Sequence, residues 1–175
     1  FGGINDLNNE KIKVCNPATF KDDPLRLLRA FRFMAQLGFE IDDETVQLIM
    51  EQSGEIRGVA GERIWSELKK IFRQNQSWQV VALMDSCQIL REIFPELLFG
   101  RGIRQPSSHH LDVFNHCLET LKQMEQVLMA PGEWFLKNEK QVLDYCNNED
   151  TFLLKIVALL HDIGKPGVLD VKDSG

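Results

Sequence analysis

The sequence lacks long hydrophobic runs: no stretch of about 18 consecutive apolar residues occurs in the 175-residue chain. A membrane-spanning helix is therefore not expected, and no signal peptide is visible at the first residues. The apolar content of 43% and the charged content of 26% are near those of ordinary globular proteins. We expect a cytoplasmic protein with no membrane partner.

The chain also has few cysteines, and none of them has the paired spacing that cysteine metal sites use. The four are Cys15, Cys87, Cys117 and Cys146. Thiols so far apart, in a chain without a visible export signal, are typical of reduced residues with mostly structural roles. We therefore expect free thiols and no cysteine-based metal site.

Strand-like alternation of apolar and polar residues is absent, as are internal repeats and low-complexity segments. Apolar residues recur instead at steps of three and four, which predicts an all-α fold. The predicted helices span residues 23–37, 43–52, 61–74, 78–86, 88–93, 110–128, 137–146 and 150–162. Glycine, proline and serine interrupt this pattern between Phe99 and Ser108, so a domain boundary is predicted there.

An excess of positive charge is missing as well. The net charge is −6, whereas nucleic-acid-binding proteins are usually basic. The acidity is uneven: residues 1–80 carry 11 Lys and Arg against 12 Asp and Glu, whereas residues 81–175 carry 9 against 14. A phosphate backbone would therefore meet a local patch and not the whole surface. The residues expected in that patch are Arg26, Arg29, Arg32, Lys69, Lys70 and Arg73.

The most informative stretch that the chain does contain is residues 22–33. It places Asp22 and Asp23 before a predicted helix and repeats arginine along that helix. Carboxylate acceptors and planar guanidinium donors on one face are the groups that can bind the edge of a nucleobase. An ordinary surface helix, whose acids cap it and pair with Arg26, fits the same residues.

This stretch resembles the nucleotide-selecting motif of the class II tRNA nucleotidyltransferase and bacterial poly(A) polymerase family. That motif is an acidic pair, two residues and an arginine, continuing into a leucine- and arginine-rich helix that ends near Gly38-Phe39. Family members usually have Glu where Asp22 stands. Residues 1–7 are similar to the family's glycine-aspartate hinge, and residues 61–68 to its Glu-Arg motif. We expect Glu62 and Arg63 to brace the fold.

The resemblance implies two sets of binding residues. Nucleotide binding falls to Asp22, Asp23, Arg26 and Arg29, and RNA binding to Arg32, Lys69, Lys70 and Arg73. Asp23 would accept from an exocyclic amine of the incoming base while Arg26 donates to it. Adenine and cytosine carry such an amine, so ATP and CTP would be admitted. Uracil and guanine offer a carbonyl at the corresponding edge.

The family's catalytic head carries a glycine-rich loop and an Asp-x-Asp pair that holds Mg²⁺. No such pair precedes the hinge-like residues of this sequence. We therefore expect a fragment with no catalytic residue of its own, whose Mg²⁺ binds in the missing head. The partners implied are ATP or CTP and the 3′ end of a tRNA or another RNA.

A second constellation lies beyond the predicted boundary. A neighbouring His-Asp pair at a helix end, together with an earlier histidine, can supply ligands for a divalent transition metal. A plain helix end with histidine at the favourable end of the dipole is the alternative. The apolar helix followed by His-Asp-x-Gly-Lys resembles the HD phosphohydrolase superfamily. The resemblance implies His116, His161 and Asp162 as the first three metal ligands and Lys165 as a phosphate contact.

Other positions of the HD pattern are less well matched. His110 stands where a histidine often precedes the first ligand. The superfamily's closing aspartate comes from a later helix, and Asp170 and Asp173 follow the His-Asp pair too closely to replace it. We therefore expect a partial HD domain that binds metal weakly or not at all.

Two regions are expected: residues 1–100, a helical neck and body that selects nucleotide and binds RNA, and residues 105–175, the first part of an HD domain. The parent enzyme would add AMP, and CMP in some members, to RNA 3′ ends, most plausibly at the tRNA CCA terminus. A metal-dependent phosphohydrolase and a purely structural helical module are the alternatives.

Overall fold

The computed structural model describes residues 2–103, 110–148 and 150–169. The chain divides into two compact units, Phe1–Phe94 and Pro95–Gly175, here called the first and second units. Within the described residues, no helix is both long enough and apolar enough to cross a membrane.

Helices dominate the described residues of both units, which confirms the all-α prediction. In the first unit they are α1 (Gly3–Asn8), α2 (Thr19–Asp22), α3 (Leu25–Leu37), α4 (Asp43–Gln52), a 3-10 helix (Ser53–Gly58), α5 (Gly61–Phe72), α6 (Ser77–Ser86) and α7 (Ile89–Ile93). In the second they are α8 (Pro95–Leu98), α9 (Val113–Met129), α10 (Pro131–Trp134), α11 (Glu139–Asn148), α12 (Phe152–Leu160) and α13 (Pro166–Leu169).

Helix α3 is the centre of the first unit. Leu27, Leu28 and Phe31 recur at helical spacing and are fully buried. The helix ends at Gly38, whose φ of 71° is the left-handed conformation that glycine adopts without strain. The arginines Arg26, Arg29 and Arg32 lie on the less buried positions of α3.

Helix α5 packs against α3 and completes this core with Leu68, Ile71 and Phe72, as the apolar spacing predicted. Helix α4 begins at Asp42, whose carboxylate accepts from the backbone N–H of Thr45 at 3.4 Å. This pairing of α3 with α5 sets the arginines of one helix beside the charged residues of the other.

A short parallel strand pair was not predicted. Strands β1 (Lys11–Ile12) and β2 (Glu40–Ile41) pair with Lys11 opposite Glu40. Two residues are too few to display the alternation by which a strand is recognised in a sequence. The pair nevertheless fixes residues 11–15 beside α3.

The start of α3 also differs from the prediction. The sequence predicted a helix from residue 23 with both acids at its start, but Asp22 ends α2 and Asp23 is extended, with φ −148° and ψ 95°. Proline disfavours helical geometry in the residue before it, so Pro24 separates the two helices. Asp23 therefore lies in the bend between them.

The second unit is built on α9 and α12, which pack together. Asp112 begins α9 by accepting from the N–H of Asn115 at 2.7 Å, so the helix starts three residues later than predicted. Gly100 lies so close to α9 that an added Cβ would come within 2.9 Å of Val113. Cys117 and Leu121 of α9 are fully buried.

Candidate functional site

A cavity of about 520 Å³ opens in the first unit beside α3. It is lined by Ile12, Lys13, Val14, Cys15, Thr19, Phe20, Arg26, Arg29, Ala30, Arg32, Phe33, Thr45, Glu67 and Lys70. Five of these side chains are cationic and one is acidic, although the whole chain carries a net charge of −6. We call it the cationic cavity, because its charge suits an anionic ligand of this size.

Asp23 lies in the bend before α3 and pairs with three arginines. Its Oδ1 accepts from Nη2 of Arg63 at 3.2 Å. Its Oδ2 accepts from Nη1 of Arg29 at 3.5 Å and lies 3.9 Å from Nε of Arg26. Arg26 also donates to the backbone carbonyl of Thr19 at 3.3 Å. Asp23 thus orients the two arginines of α3 that line the cationic cavity.

Arg32, Glu67 and Lys70 form a second charged group on the cavity wall. Nε of Arg32 lies 2.9 Å from Oε2 of Glu67. Nζ of Lys70 donates to Oε1 of the same carboxylate at 3.0 Å. Because Glu67 is buried, these two cations compensate a charge that would otherwise be costly to remove from water.

The predicted nucleotide-binding and RNA-binding residues are only partly brought together. Arg26, Arg29, Arg32 and Lys70 line the cavity, whereas Asp22 and Asp23 lie outside the lining. Asp22 is exposed at the end of α2. Two further positions lie elsewhere: Arg73 is exposed just after α5, and Lys69 lies about 160° around that helix from Glu67, at about 100° per residue.

Sequence reasoning missed several residues of the cavity. Lys13 and Cys15 reach it from the segment after β1, and Thr45 reaches it from α4, where its hydroxyl accepts from the N–H of Val14 at 3.0 Å. These contacts span about 30 residues, and no local pattern predicts them. The contact of Glu67 with Arg32, which joins α5 to α3, was not predicted either.

In the second unit, His116, His161 and Asp162 come together. Their ligand atoms all lie within 4.8 Å of one another. Nε2 of His116 is 3.3 Å from Nε2 of His161, and Oδ2 of Asp162 is 3.5 Å and 3.2 Å from these two nitrogens. Two imidazoles and a carboxylate are a donor set that suits a divalent transition metal.

The tautomer of His161 favours a ligand role. Its Nδ1 lies 2.9 Å from the backbone carbonyl of Ala158. A carbonyl only accepts, so Nδ1 carries a proton, and in the neutral imidazole Nε2 then keeps the lone pair that a metal would bind. Nζ of Lys165 lies 2.5 Å from Oδ2 of Asp162, so the predicted phosphate contact sits at the edge of the same cluster.

The remaining positions of the predicted HD pattern lie apart from this cluster or outside the described residues. His110 is exposed ahead of α9. Asp170 and Asp173 fall outside the residues that the structure describes. Among the described residues, the group that could hold a metal ion therefore consists of the three residues that the resemblance implied, His116, His161 and Asp162.

Comparison with protein-family models gives two matches. Residues 38–99 match the family described as "Probable RNA and SrmB- binding site of polymerase A", and residues 113–174 match the HD domain. The first match includes α5, whereas Asp23 and the arginines of α3 precede it.

Comparison with known proteins identifies relatives over nearly the whole chain. A multifunctional CCA protein of Neisseria gonorrhoeae is 31% identical over 169 residues, which is 94% of this chain and 36% of the relative. A tRNA nucleotidyltransferase solved with a primer tRNA and an incoming ATP analogue is similar at a TM-score of 0.65 and 24% identity, covering 91% of this chain and 41% of that one. The CCA-adding enzyme of Thermotoga maritima, solved with tRNA, has a TM-score of 0.65 at 22% identity, covering 95% and 37%.

The chain is therefore similar, in order along its sequence, to the RNA-binding region of polymerase A and to the HD domain, and over 94% of its length to a multifunctional CCA protein. It spans about a third of the length of the curated relatives that it matches.

Proposed function

We propose that the first unit selects nucleotide and binds the RNA 3′ end for a template-independent nucleotidyltransferase that adds AMP, and CMP in some members, at the tRNA CCA terminus. The proposal concerns the parent enzyme, which uses Mg²⁺ for the transfer itself. Asp23 and Arg26 read the base, and the remaining cations of the cavity bind phosphate.

The observation that supports this proposal most strongly is the position of Arg26 and Arg29. Both line a cavity large enough for a nucleotide, and both are tied to Asp23. Arginine donors held by a carboxylate are pre-oriented, which lowers the entropic cost of binding a planar base. Both oxygens of Asp23 keep lone pairs with which to accept from an exocyclic amine.

A binding experiment tests this proposal on the full-length protein. Affinities for ATP, CTP, UTP and GTP are measured by competition against a fluorescent nucleotide, in Mg²⁺, with and without a tRNA that lacks its terminal adenosine. We expect ATP, CTP or both to bind more tightly than UTP and GTP. Equal affinity for all four nucleotides would reject base selection by this cavity.

The metal cluster of the second unit supports a second candidate function, a metal-dependent phosphohydrolase. His116, His161 and Asp162 would hold a divalent transition metal, which would polarise a phosphoryl oxygen and activate water. Lys165, beside Asp162, would contact the phosphate. Release of phosphate from phosphomonoesters, or opening of cyclic phosphodiesters to phosphomonoesters, would support this function if His161→Ala abolished it. The absence of both reactions with every divalent metal tested would reject it.

A further inference from the structure

Glu67 is a carboxylate in the wall of the cationic cavity with only 4% of its surface exposed. Its Oε2 forms an ion pair with Nε of Arg32 at 2.9 Å, without hydrogen-bond geometry, and its Oε1 accepts a hydrogen bond from Lys70. Arg32 and Lys70 are therefore each paired with a different oxygen of the same buried carboxylate. Glu67 fixes where their charge lies at the cavity wall.

The guanidinium of Arg32 is held on two sides. Its central carbon lies 4.2 Å from the centroid of the Phe33 ring, so the ring covers one face. Its Nε is beside Glu67. The N–H groups of a guanidinium point outward in its own plane. Because Nε faces Glu67, the N–H groups of Nη1 and Nη2 are the pair of donors, here called the fork, that a ligand could use. Neither has a hydrogen-bond partner among the described residues.

The ligand that fits this fork is an anion with at least two oxygens. Arg32 and Lys70 carry two positive charges against the single charge of Glu67, so their corner of the cavity keeps a net positive charge. Arginine binds phosphate oxygens with two parallel hydrogen bonds, whereas lysine acts as a point charge. Both binding modes are available here.

We propose that Arg32 and Lys70 form a phosphate-binding subsite of the cationic cavity and that Glu67 is its positioning residue. This proposal rests on the proposed function, which supplies two sources of phosphate: the nucleotide and the RNA 3′ end. The subsite contacts no base, so it contributes equally to the binding of all four nucleotides.

The experiment compares Arg32→Met with Arg91→Met in the full-length protein. Arg91 is exposed on α7 and outside the cavity lining, so the control loses the same charge. Affinity is measured in one arm for the four triphosphates and in the other for tRNA lacking its terminal adenosine. We expect Arg32→Met to lose about tenfold in one arm, because a charge-assisted bond is lost.

The arm in which the loss occurs assigns the source of the phosphate. If the nucleotide supplies the phosphate, the affinities for all four triphosphates fall by the same factor. If the RNA supplies it, the slope of log affinity against log salt concentration decreases by about one, because one phosphate contact is lost. Wild-type affinity of Arg32→Met in both arms, or the same loss in Arg91→Met, would overturn the subsite.

Two further variants distinguish the paired hydrogen bonds of Arg32 from its charge, and test whether Glu67 positions the two cations. Arg32→Lys keeps the charge but lacks the fork, so we expect an affinity between those of Arg32→Met and the wild type; full wild-type affinity would overturn bidentate binding. Glu67→Gln makes the corner more positive but releases the two cations, so a positioning role predicts phosphate affinity about threefold lower despite the added charge. Affinity equal to or above that of the wild type would overturn the positioning role of Glu67. If the wild type discriminates between bases but Arg32→Met binds normally, the subsite fails and the proposed function stands.

Discussion

Lys155 donates to Glu125 at 3.0 Å in the interior of the second unit, with both residues at least 95% buried. The pair joins α12 to α9, as does the contact between His161 and His116. Lys155 precedes His161 while Glu125 follows His116, so the two contacts define one antiparallel register. The buried ion pair therefore holds the helices in the alignment at which the two histidines meet.

Removing one partner of this pair should be costly, because it takes the opposite charge away from a buried ion. We expect Lys155→Met to lower the free energy of unfolding of the second unit by about 3–5 kcal/mol, measured by urea denaturation. The double variant Lys155→Met with Glu125→Leu should recover most of that loss. A single variant as stable as the wild type would contradict the structural role of the pair.

Asp23 should matter for nucleotide selection through the arginines it holds. Asp23→Asn keeps the volume of the side chain but removes the charge that orients Arg26 and Arg29. We expect the preference for ATP or CTP over UTP to fall by about 1–3 kcal/mol, measured as the ratio of incorporation efficiencies. Asp43→Asn, an exposed acid at the start of α4, is the matched control and should keep the preference.

Cys15 should report on occupancy of the cationic cavity. It is exposed and lines the cavity, whereas Cys87 is buried and its burial raises its pKa to about 11. A raised pKa keeps the Cys87 thiol protonated at pH 8, so it should not react. With iodoacetamide and peptide mass spectrometry, we expect Cys15 to be alkylated first and ATP to slow that reaction. Equal alkylation with and without saturating ATP would place the nucleotide elsewhere.

Lys165 should compete with a metal for Asp162. Its ammonium lies 2.5 Å from Oδ2 of that carboxylate, and its charge repels a divalent cation. We expect Lys165→Met to bind Co²⁺ or Zn²⁺ several-fold more tightly than the wild type, measured by competition with a chromophoric chelator. His161→Ala should abolish the binding. Unchanged or weaker binding by Lys165→Met would show that Lys165 does not compete for the carboxylate.

Local patterns in the sequence predicted most of the fold. Leu27, Leu28 and Phe31 recur at helical steps, so the sequence alone predicted α3 and its buried face. The sequence also predicted that this helix ends near Gly38. The extended conformation of Asp23 was not anticipated, although Pro24 restricts the residue before it. Strand β1 was missed because two residues carry no periodicity.

The candidate sites were less predictable, because they depend on long-range contacts. The three candidate metal ligands, which the resemblance had implied as a set, lie within 4.8 Å of one another. In the cationic cavity, Arg26 and Arg29 were expected, but the buried contact of Glu67 with Arg32 joins α5 to α3 across 35 residues. Helical spacing indicates which face a residue occupies, not which residue of another helix it meets.

The most direct measurement of the central claim uses Arg26→Ala in the full-length protein. Arg26 is 44% exposed and lies outside the core, so the melting temperature should stay near that of the wild type. Incorporation of each labelled triphosphate is measured on tRNA lacking its terminal adenosine, with Arg91→Ala as the control. We predict that Arg26→Ala loses about 1–3 kcal/mol of discrimination against UTP and GTP. Unchanged selectivity in a folded Arg26→Ala protein would contradict base selection by this cavity.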